Sequence, residues 1–314
     1  MTIPSPTEVP EETGTRSGYV TLVGRPNAGK STLMNAFLGE RLSIVTPKAQ
    51  TTWQRVTGIL TTDRAQMIFL DTPGLLDPRD LLQRTMLAAA RDALGEADVI
   101  LLVLDGSAIV KPTDLEWISE AMAGGPQVPL LVAINKMDLI EEEKFGAIAR
   151  WVSQEMGGES FSLCAQDGTG VNTIRNRLEE LLPPGPFLYP SDEIARDPVR
   201  FFVAEMIRET VFQEYHQEIP YSVFSQIEEF RENQDPIYIQ ANLFVERKSQ
   251  KRILIGKGGS SIRKLGALSR EKVEEFLGRR VYLDLWVKVL PDWRRRRAHL
   301  RKLGFSVPEE GPEE

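Results

Sequence analysis

Hydrophobic residues fall in short unbroken runs along the first half of the chain. From Tyr19 onward these runs are YVTLVG, QMIFLD, DVILLVLDG, VPLLVAIN and SFSLCA, and stretches with helical spacing separate them. Continuous rather than alternating apolar runs are typical of strands buried on both faces, as in a parallel sheet. The pattern predicts an α/β domain with a mostly parallel sheet over residues 18–182.

The pattern changes after PPGPFLYP at 183–190, which has four prolines in eight residues, and we interpret 183–197 as a linker. Beyond it, PVRFFVAEMIRETVFQEY has helical spacing, whereas YSVFSQIEEF and DPIYIQANLFVER are typical of strands. KRILI, interpreted as a strand, leads into a glycine loop and a helical segment. VYLDLWVKV alternates, with one face formed by Val281, Leu283, Leu285, Val287 and Val289. Residues 198–305 are therefore predicted to form a smaller α+β domain.

The two ends of the chain have little to bury. Residues 1–17 are rich in Pro, Glu, Thr and Ser, and residues 306–314 are acidic. Both segments are predicted to be disordered.

Composition narrows the class of protein. The chain has 314 residues, of which 41% are apolar and 26% charged, as in globular proteins. Its longest apolar run is too short to span a bilayer, and the N-terminus lacks a secretion-signal pattern. Cys164 is the only cysteine, which excludes a disulfide within the chain and favours a reducing cytoplasm. A monomer is expected.

Charge is distributed unevenly. Residues 241–305 hold 18 Lys and Arg against 6 Asp and Glu, a balance of +12, whereas the remainder holds 20 against 39, or −19. The basic block indicates either a polyanionic partner or a solvated charged surface.

GRPNAGKS at 24–31 fits the phosphate-loop pattern G-x-x-x-x-G-K-[ST] between a strand and a helix. Its backbone N–H groups would face phosphate oxygens at a helix N-terminus. Lys30 would reach the β and γ phosphates, and the Ser31 hydroxyl would bind Mg²⁺. The phosphate site is assigned to Asn27, Ala28, Gly29, Lys30, Ser31 and Thr32.

Two further motifs follow in order, each at the end of a predicted strand. In DTPG, Asp71 would hold Mg²⁺ and the Gly74 N–H would meet the γ-phosphate. In NKMD (Asn135, Lys136, Asp138), the Asp138 carboxylate matches the N1–H and N2–H₂ donors of guanine and would reject adenine. In SLCAQDG the Ala165 N–H would contact guanine O6 beside Cys164, which we interpret as a small packed residue.

AQTTWQR at 49–55 is the candidate switch that senses the γ-phosphate. Thr52 is assigned as the second Mg²⁺ ligand, with Thr51 as the alternative. The other interpretation is that both are surface threonines before a strand and bind no metal. Metal ligands are thus Ser31, Thr52 and Asp71. Lys30, Thr52 and Gly74 are the candidate catalytic groups.

With these motifs together, and with LIGKGG and LDLWVKV downstream, the chain resembles the Era family of bacterial ribosome-assembly GTPases from about Tyr19 to Phe305. The resemblance implies a P-loop G domain followed by a type II KH domain, and recognition of small-subunit ribosomal RNA near its 3′ end. This chain departs from the family at Cys164, where relatives usually have Ser, and at Trp53, where they often have Arg.

The residue that orients the attacking water in Ras-type enzymes is a Gln just after the DTPG-type motif, and here it is Leu75. Basal hydrolysis is therefore expected to be slow. In similar GTPases without that Gln, the equivalent of Asn27 helps hold K⁺. We expect either K⁺ dependence or a role for Asn27 only in shaping the loop.

The second glycine loop, LIGKGGSSIRKL at 254–265, lacks the GK[ST] ending and cannot repeat the first loop's chemistry. A lone G-x-x-G favours a turn, but with the basic block and the resemblance it predicts the RNA-gripping loop of a KH domain, opening a helix after a strand. The RNA contacts are assigned to Gly256, Lys257, Gly258, Gly259, Arg263 and Lys264. DWRRRRAHLRKLGF at 292–305 extends the basic surface toward RNA or an anionic membrane, or it is an exposed capping helix.

Three functions follow. The first is a GTP-hydrolysing switch acting on small-subunit ribosomal RNA and the small ribosomal subunit. The second is an RNA-binding factor that senses GTP with little turnover. The third is a regulator at the membrane surface, which would make the cytoplasmic protein partly membrane-associated.

Overall fold

The computed structural model describes residues 14–109 and 124–309. The first domain is built on a six-stranded sheet with the order β2-β3-β1-β4-β5-β6, in which β2 alone is antiparallel to its neighbour. Its strands are β1 (Arg16–Val23), β2 (Val56–Thr61), β3 (Ala65–Asp71), β4 (Val99–Asp105), β5 (Leu130–Asn135) and β6 (Glu159–Ser162). Its helices are α1 (Lys30–Leu38), α2 (Leu81–Gly95), α3 (Glu142–Trp151) and α4 (Val171–Leu181), with a 3₁₀ turn at Met137–Leu139 and a π turn at Val152–Met156.

Burial on both faces explains the unbroken apolar runs. Every residue of β3 is buried, and separate apolar clusters cover the two faces of the sheet. Because parallel strands end at one edge, the loops after β1, β3, β5 and β6 meet there. Four of the predicted motifs lie in these loops.

The second domain has a three-stranded sheet of β7 (Phe224–Arg231), β8 (Ile237–Val245) and β9 (Val281–Val289). β7 is antiparallel to β8, and β9 is parallel to it. Its helices are α5 (Val199–Glu214), α6 (Ile219–Ser222), α7 (Lys248–Ile255), α8 (Ser260–Leu277) and α9 (Arg297–Lys302). The inward-facing side of β9 packs in the domain core, as its alternation predicts.

KRILI is helical, so the prediction that the second glycine loop follows a strand is wrong. The last residues of α7 are this segment, and at the start of that helix the Arg247 N–H donates to Gln250 Oε1 at 2.9 Å. The helix buries Leu254 in the core and leaves Ile253 exposed. Five apolar and basic residues carry too little periodicity to separate a strand from a helical turn.

The linker packs against the first domain. The Thr57 N–H donates to Asp197 Oδ2 at 2.9 Å, and the Ile59 N–H donates to the Ile194 carbonyl at 2.9 Å. The Gln66 amide nitrogen donates to the Tyr189 carbonyl oxygen, and the Gln66 amide oxygen accepts the Tyr189 N–H, both at 2.9 Å. The linker is therefore attached to β2 and β3 of the first domain.

An apolar cluster joins the two domains, and we call it the interdomain cluster. It contains Trp53, Leu81, Leu82, Met86, Phe224, Phe244, Trp293, Leu300, Leu303 and Phe305. An ion pair of 2.6 Å between Asp80 and Arg294 lies beside it. The basic segment at 292–305 is thus more than an exposed cap, because its apolar residues and Arg294 hold the domains together.

Each of the two segments predicted to be disordered lies partly within the described residues, at 14–17 and at 306–309. β1 begins at Arg16, two residues before the predicted domain start, because Arg16 pairs with both Ala65 and Pro184. At the other end, Val307 packs against the interdomain cluster. The rest of the two predicted disordered segments, 1–13 and 310–314, lies outside the described residues.

No helix within residues 14–109 and 124–309 has both the length and the hydrophobicity that a bilayer-spanning helix needs.

Candidate nucleotide site and RNA-binding loop

The loop after β1 curls around the Lys30 side chain. Gly24 has a φ of 147°, and a Cβ there would lie 2.2 Å from the Val103 carbonyl oxygen. Lys30 Nζ donates to the carbonyl oxygens of Gly24 and Arg25, both at 3.2 Å. Burial lowers the pKa of Lys30 to about 8, against an opposing attraction from Asp71. A cation held this way is available to phosphate oxygens at the N-terminus of α1.

The three predicted metal ligands come together at the carboxyl edge of the sheet. Ser31 Oγ donates to Asp71 Oδ2 at 2.7 Å and lies 3.1 Å from Thr52 Oγ1. Ser43, which no motif indicated, also donates to Asp71 Oδ2, at 3.0 Å. Burial raises the pKa of Asp71, and Lys30 and the surrounding hydroxyls oppose that rise.

This donor set fits Mg²⁺, which prefers oxygen ligands. Asp71 is fully buried, yet its Oδ1 has no hydrogen-bond partner among the described residues. A buried carboxylate oxygen without a donor is costly unless a cation or a water molecule satisfies it. Ser31, Thr52 and Asp71 could therefore hold the metal ion.

Gly74 lies directly against the phosphate loop. A Cβ at Gly74 would be 2.6 Å from the Pro26 backbone nitrogen, so only glycine permits this approach. The next residue, Leu75, donates its N–H to the Gly24 carbonyl at 2.9 Å and buries its side chain in the core. Leu75 thus has no side-chain role at the phosphates.

A small cavity lies at the phosphate loop, and Asn27 beside it is exposed and has a φ of 66°. The residues that line the cavity include Asn27, Gly29, Lys30, Ser31, Thr32, Thr52 and Gly74.

The predicted guanine-reading residues meet at the ends of β5 and β6. Asn135 is buried; its amide nitrogen donates to the Ala28 carbonyl at 2.9 Å, and its amide oxygen accepts the Ala165 N–H at 2.9 Å. The prediction of a guanine O6 contact assumed that the Ala165 N–H is free, but Asn135 already accepts it. Guanine would have to share or replace that hydrogen bond.

Lys136, Asp138 and Cys164 complete this end of the site. Lys136 has a φ of 63° and forms an ion pair of 2.6 Å with Asp105. Asp138 is exposed, as a reader of a bound base must be. Cys164 is buried, and burial raises the pKa of its thiol, as does the neighbouring Asp138 carboxylate. A thiol held in its neutral form fits the interpretation of Cys164 as a packed residue.

The second glycine loop joins α7 to α8 and is exposed at its tip. Lys257 and Gly258 are exposed, and Gly256, Gly258 and Gly259 all have positive φ. A Cβ at Gly256 would lie 2.2 Å from Ser261 Oγ, whereas one at Gly258 would meet no atom within 4 Å. The loop therefore presents backbone and the Lys257 ammonium without an obstructing side chain.

Two of the assigned RNA-binding residues are already engaged. Arg263 donates to the carbonyl oxygens of Gly258 (2.7 Å) and Gly259 (3.2 Å), and Lys264 forms an ion pair of 2.5 Å with Glu214. Arg263 therefore stabilises the loop through two of its carbonyl oxygens. Lys264 attaches α8 to α5.

Family models match both parts of the chain. A model described as a 50S ribosome-binding GTPase matches residues 19–136, and a KH domain model matches residues 218–294. A protein called GTPase Era from Carboxydothermus hydrogenoformans is 38% identical over 297 residues, which covers 93% of this chain and 98% of that protein. The chain belongs to the Era family of GTPases.

Further relatives agree with the family in sequence and structure. GTPase Era from Heliobacterium modesticaldum is 40% identical over 93% of this chain and 97% of its own length. A crystal structure of Era in complex with MgGDPNP and nucleotides 1506–1542 of 16S ribosomal RNA matches with a TM-score of 0.87 and 37% identity, covering 92% of this chain and 99% of that one. A crystal structure of a single-residue variant of Aquifex aeolicus Era bound to GDP.AlF4⁻ matches with the same TM-score, identity and coverage.

The predicted family is confirmed, and with it the enzyme class of GTPase. The predicted fold class, a P-loop GTPase domain with a mostly parallel sheet followed by a KH domain, is also confirmed. Sequence reasoning missed Ser43 at the metal site and Arg208 on α5, which donates to the Thr51 carbonyl oxygen. Neither lies in a motif, and no local pattern indicates them.

Proposed function

We propose that this protein binds and hydrolyses GTP with Mg²⁺, and that this cycle controls a KH domain which binds small-subunit ribosomal RNA near its 3′ end during assembly of the small ribosomal subunit. Two features of the same chain carry the proposal. Ser31, Thr52 and Asp71 lie within hydrogen-bond distance of one another in the first domain, and the second domain exposes a G-x-x-G loop. The related Era bound to MgGDPNP and 16S ribosomal RNA supports it.

In the nucleotide site, the phosphates would lie on the loop from Asn27 to Thr32, with Lys30 beside the β and γ phosphates. Ser31, Thr52 and Asp71 would hold Mg²⁺, which when bound neutralises charge on the phosphate oxygens. The Gly74 N–H would contact the γ-phosphate. Asp138 would read guanine, with Asn135 bracing both the phosphate loop and the loop at Cys164 and Ala165 and with Lys136 beside it.

We further propose that K⁺ assists hydrolysis at Asn27. The Asn27 side chain is exposed beside the phosphate loop, and the residue has a φ of 66°. Leu75 buries its side chain, so the attacking water must be assisted by another group. A monovalent cation next to the phosphates would supply positive charge there.

In the KH domain, Gly256–Gly259 would lie along the sugar–phosphate backbone of about four single-stranded nucleotides. Lys257 would contact a phosphate, and Arg263 would hold the loop through its carbonyl oxygens. We propose that the protein acts in the cytoplasm as a monomer. Contact with an anionic membrane is a competing use of the basic segment, although Arg294 and the apolar residues of that segment are already engaged between the domains.

The experiment replaces Lys257 and Gly258 together with Asp. RNA affinity is measured at two salt concentrations, with RNA spanning nucleotides 1506–1542 of 16S ribosomal RNA as the probe. Like charges against phosphates should reduce affinity on the order of a hundredfold. Each lost phosphate contact should reduce the salt slope of the remaining binding by about 0.7.

The chain offers a matched control. Gly278 also has a positive φ (62°), and a Cβ there would meet no atom within 4 Å, while Lys288 is exposed on β9. The variant Lys288→Asp with Gly278→Asp makes the same changes of residue and charge away from the loop. It should keep wild-type RNA affinity, and both variants should hydrolyse GTP at the wild-type basal rate.

Three outcomes separate the competing functions. Unchanged RNA affinity in a folded Lys257→Asp, Gly258→Asp variant would reduce the loop to a turn. GTP binding without phosphate release, with and without RNA, would make the protein a sensor rather than an enzyme. Co-sedimentation with anionic vesicles that RNA does not compete away would favour the membrane surface.

A further inference from the structure

An arginine of the KH domain contacts the switch segment on both sides of Thr52. Arg208, on α5, donates from Nη2 to the Thr51 carbonyl oxygen. Its guanidinium carbon lies 4.5 Å from the centre of the Trp53 ring. The residue between these two contacts is Thr52, whose hydroxyl lies 3.1 Å from Ser31 Oγ.

The Arg208 guanidinium is itself buried and paired with Glu205. Its side chain is 1% exposed, and Glu205 accepts hydrogen bonds from Nε at 2.8 Å and from Nη2 at 2.6 Å. A buried charge is strongly unfavourable unless it is paired and hydrogen-bonded, so Arg208 has few alternative positions. The planar guanidinium can bind a carboxylate, a carbonyl oxygen and an aromatic face at once, which an ammonium group cannot do.

The same helix also binds Lys48, the residue just before the switch segment. Lys48 Nζ donates to the carbonyl oxygens of Phe212 and Tyr215, at the C-terminal end of α5. Free carbonyl oxygens make the end of a helix attractive to cations. Residues 48–53 are therefore attached to α5 at both ends.

Helix α5 also faces the helix that follows the G-x-x-G loop. Glu214 pairs with Lys264 at 2.5 Å, and Glu209 pairs with Lys272 at 2.6 Å. Glu209 is 6% exposed and also pairs with Arg41 of the G domain at 2.9 Å. One helix thus contacts the helix after the G-x-x-G loop, Arg41 of the G domain and the switch segment.

We propose that Arg208 is a positioning residue for GTP hydrolysis, which holds the Thr51 carbonyl group and the Trp53 ring so that Thr52 reaches the metal site. The inference rests on the proposed function, in which Thr52 binds Mg²⁺. It makes the KH domain part of the machinery for hydrolysis as well as the RNA-binding module. Because coupling between two sites is reciprocal, closure of Thr52 on GTP also favours the present position of α5.

The test uses the full chain with Arg208→Met and Arg208→Lys. Loss of Thr52 alignment should reduce kcat by ~10- to 100-fold in Arg208→Met, the range expected for a displacement of about 1 Å near a reacting centre. The Lys variant should lie between it and the wild type, because an ammonium can donate to the Thr51 carbonyl but cannot pack flat on Trp53. The Mg²⁺ concentration for half-maximal rate should rise, whereas GDP affinity should stay within about twofold, since Thr52 is expected to respond to the γ-phosphate.

Arg200 provides the control. It lies on the same helix and places its guanidinium 5.8 Å from the Phe230 ring within the KH domain. Arg200→Met should leave kcat, KM and the Mg²⁺ requirement unchanged. Thermal unfolding of each variant shows whether the fold is retained, and if Arg208→Met does not fold, Arg208→Lys and Trp53→Phe carry the same test.

A double-mutant cycle with Thr52→Ala decides the interpretation. If Arg208 acts through Thr52, adding Arg208→Met to Thr52→Ala should cause no further loss of kcat. An additive loss, an unchanged kcat in folded Arg208→Met, or equal losses of GDP and GTP affinity would overturn the proposal. Failure of the proposed function would give a different result. Wild-type GTP hydrolysis would then not depend on Mg²⁺, and Thr52→Ala would hydrolyse GTP at the wild-type rate.

Discussion

The amide nitrogen of Asn135 donates to the carbonyl oxygen of Ala28 at 2.9 Å, which ties the end of β5 to the phosphate loop. The amide oxygen of the same side chain accepts the Ala165 N–H. One buried side chain thus sets the spacing between the region expected to hold phosphates and the region expected to read the base. A Cβ at Gly29 would lie 2.1 Å from the same amide nitrogen, so the glycine is required for this approach.

Asn135→Ala should therefore weaken both the fold and nucleotide binding. It leaves the Ala28 carbonyl and the Ala165 N–H without partners, and each orphaned buried group costs about 1–3 kcal/mol. Chemical unfolding and GDP affinity measure the two effects. The exposed Asn176, on α4, is the control, and Asn176→Ala should change neither. Wild-type GDP affinity in Asn135→Ala would contradict the bracing role.

Asp138→Asn should change base preference from guanine to xanthine. The Asn amide can donate to the 2-oxo group that replaces the 2-amino group of guanine, whereas the Asp carboxylate can only accept. Competition between GDP and XDP measures the change. If GTP affinity were the same in the mutant and the wild type, NKMD would not read the base.

Ser31→Ala should weaken binding of the Mg²⁺–triphosphate complex and slow hydrolysis. The change removes a proposed metal ligand and the 2.7 Å hydrogen bond to Asp71, whose Oδ1 already has no partner among the described residues. RNA affinity should be retained, because the KH domain has its own core. Equal affinity for a GTP analogue with and without Mg²⁺ in the wild type would contradict the metal assignment.

Nucleotide binding should be linked to a proton on Lys30. Burial lowers the pKa of Lys30 to about 8 in this structure, and phosphate charge favours the ammonium form. Binding should therefore take up a proton near pH 8, and affinity should fall as pH rises from 7 to about 8.5. Calorimetry in two buffers of different ionisation enthalpy measures the uptake. Lys30→Met should bind more weakly and show no uptake from this group.

Hydrolysis should be faster in K⁺ than in Na⁺ at equal ionic strength. The reason is the exposed Asn27 beside the phosphate loop, together with a buried Leu75 that cannot orient water. Asn27→Ala should remove the difference without abolishing GDP binding. Equal rates of phosphate release in the two salts would exclude a K⁺ role.

The sequence by itself determined the parts of the molecule that local chemistry controls. Buried parallel strands need unbroken apolar runs, so the runs predicted the sheet, and the motifs GRPNAGKS, DTPG and NKMD stand where those strands end. The alternation in VYLDLWVKV predicted which face of β9 enters the core. These features require only the period of an element and the chemistry of a short loop.

Only the tertiary structure decided how distant segments meet. The approach of Ser43 to Asp71, the grip of Arg208 on the switch segment and the pairing of Asp80 with Arg294 join residues that are 28, 157 and 214 positions apart. The short KRILI segment became a helix because capping and core packing outweighed a weak local pattern. Contacts of this kind depend on how two folded domains pack together, and no periodicity in the chain encodes that arrangement locally.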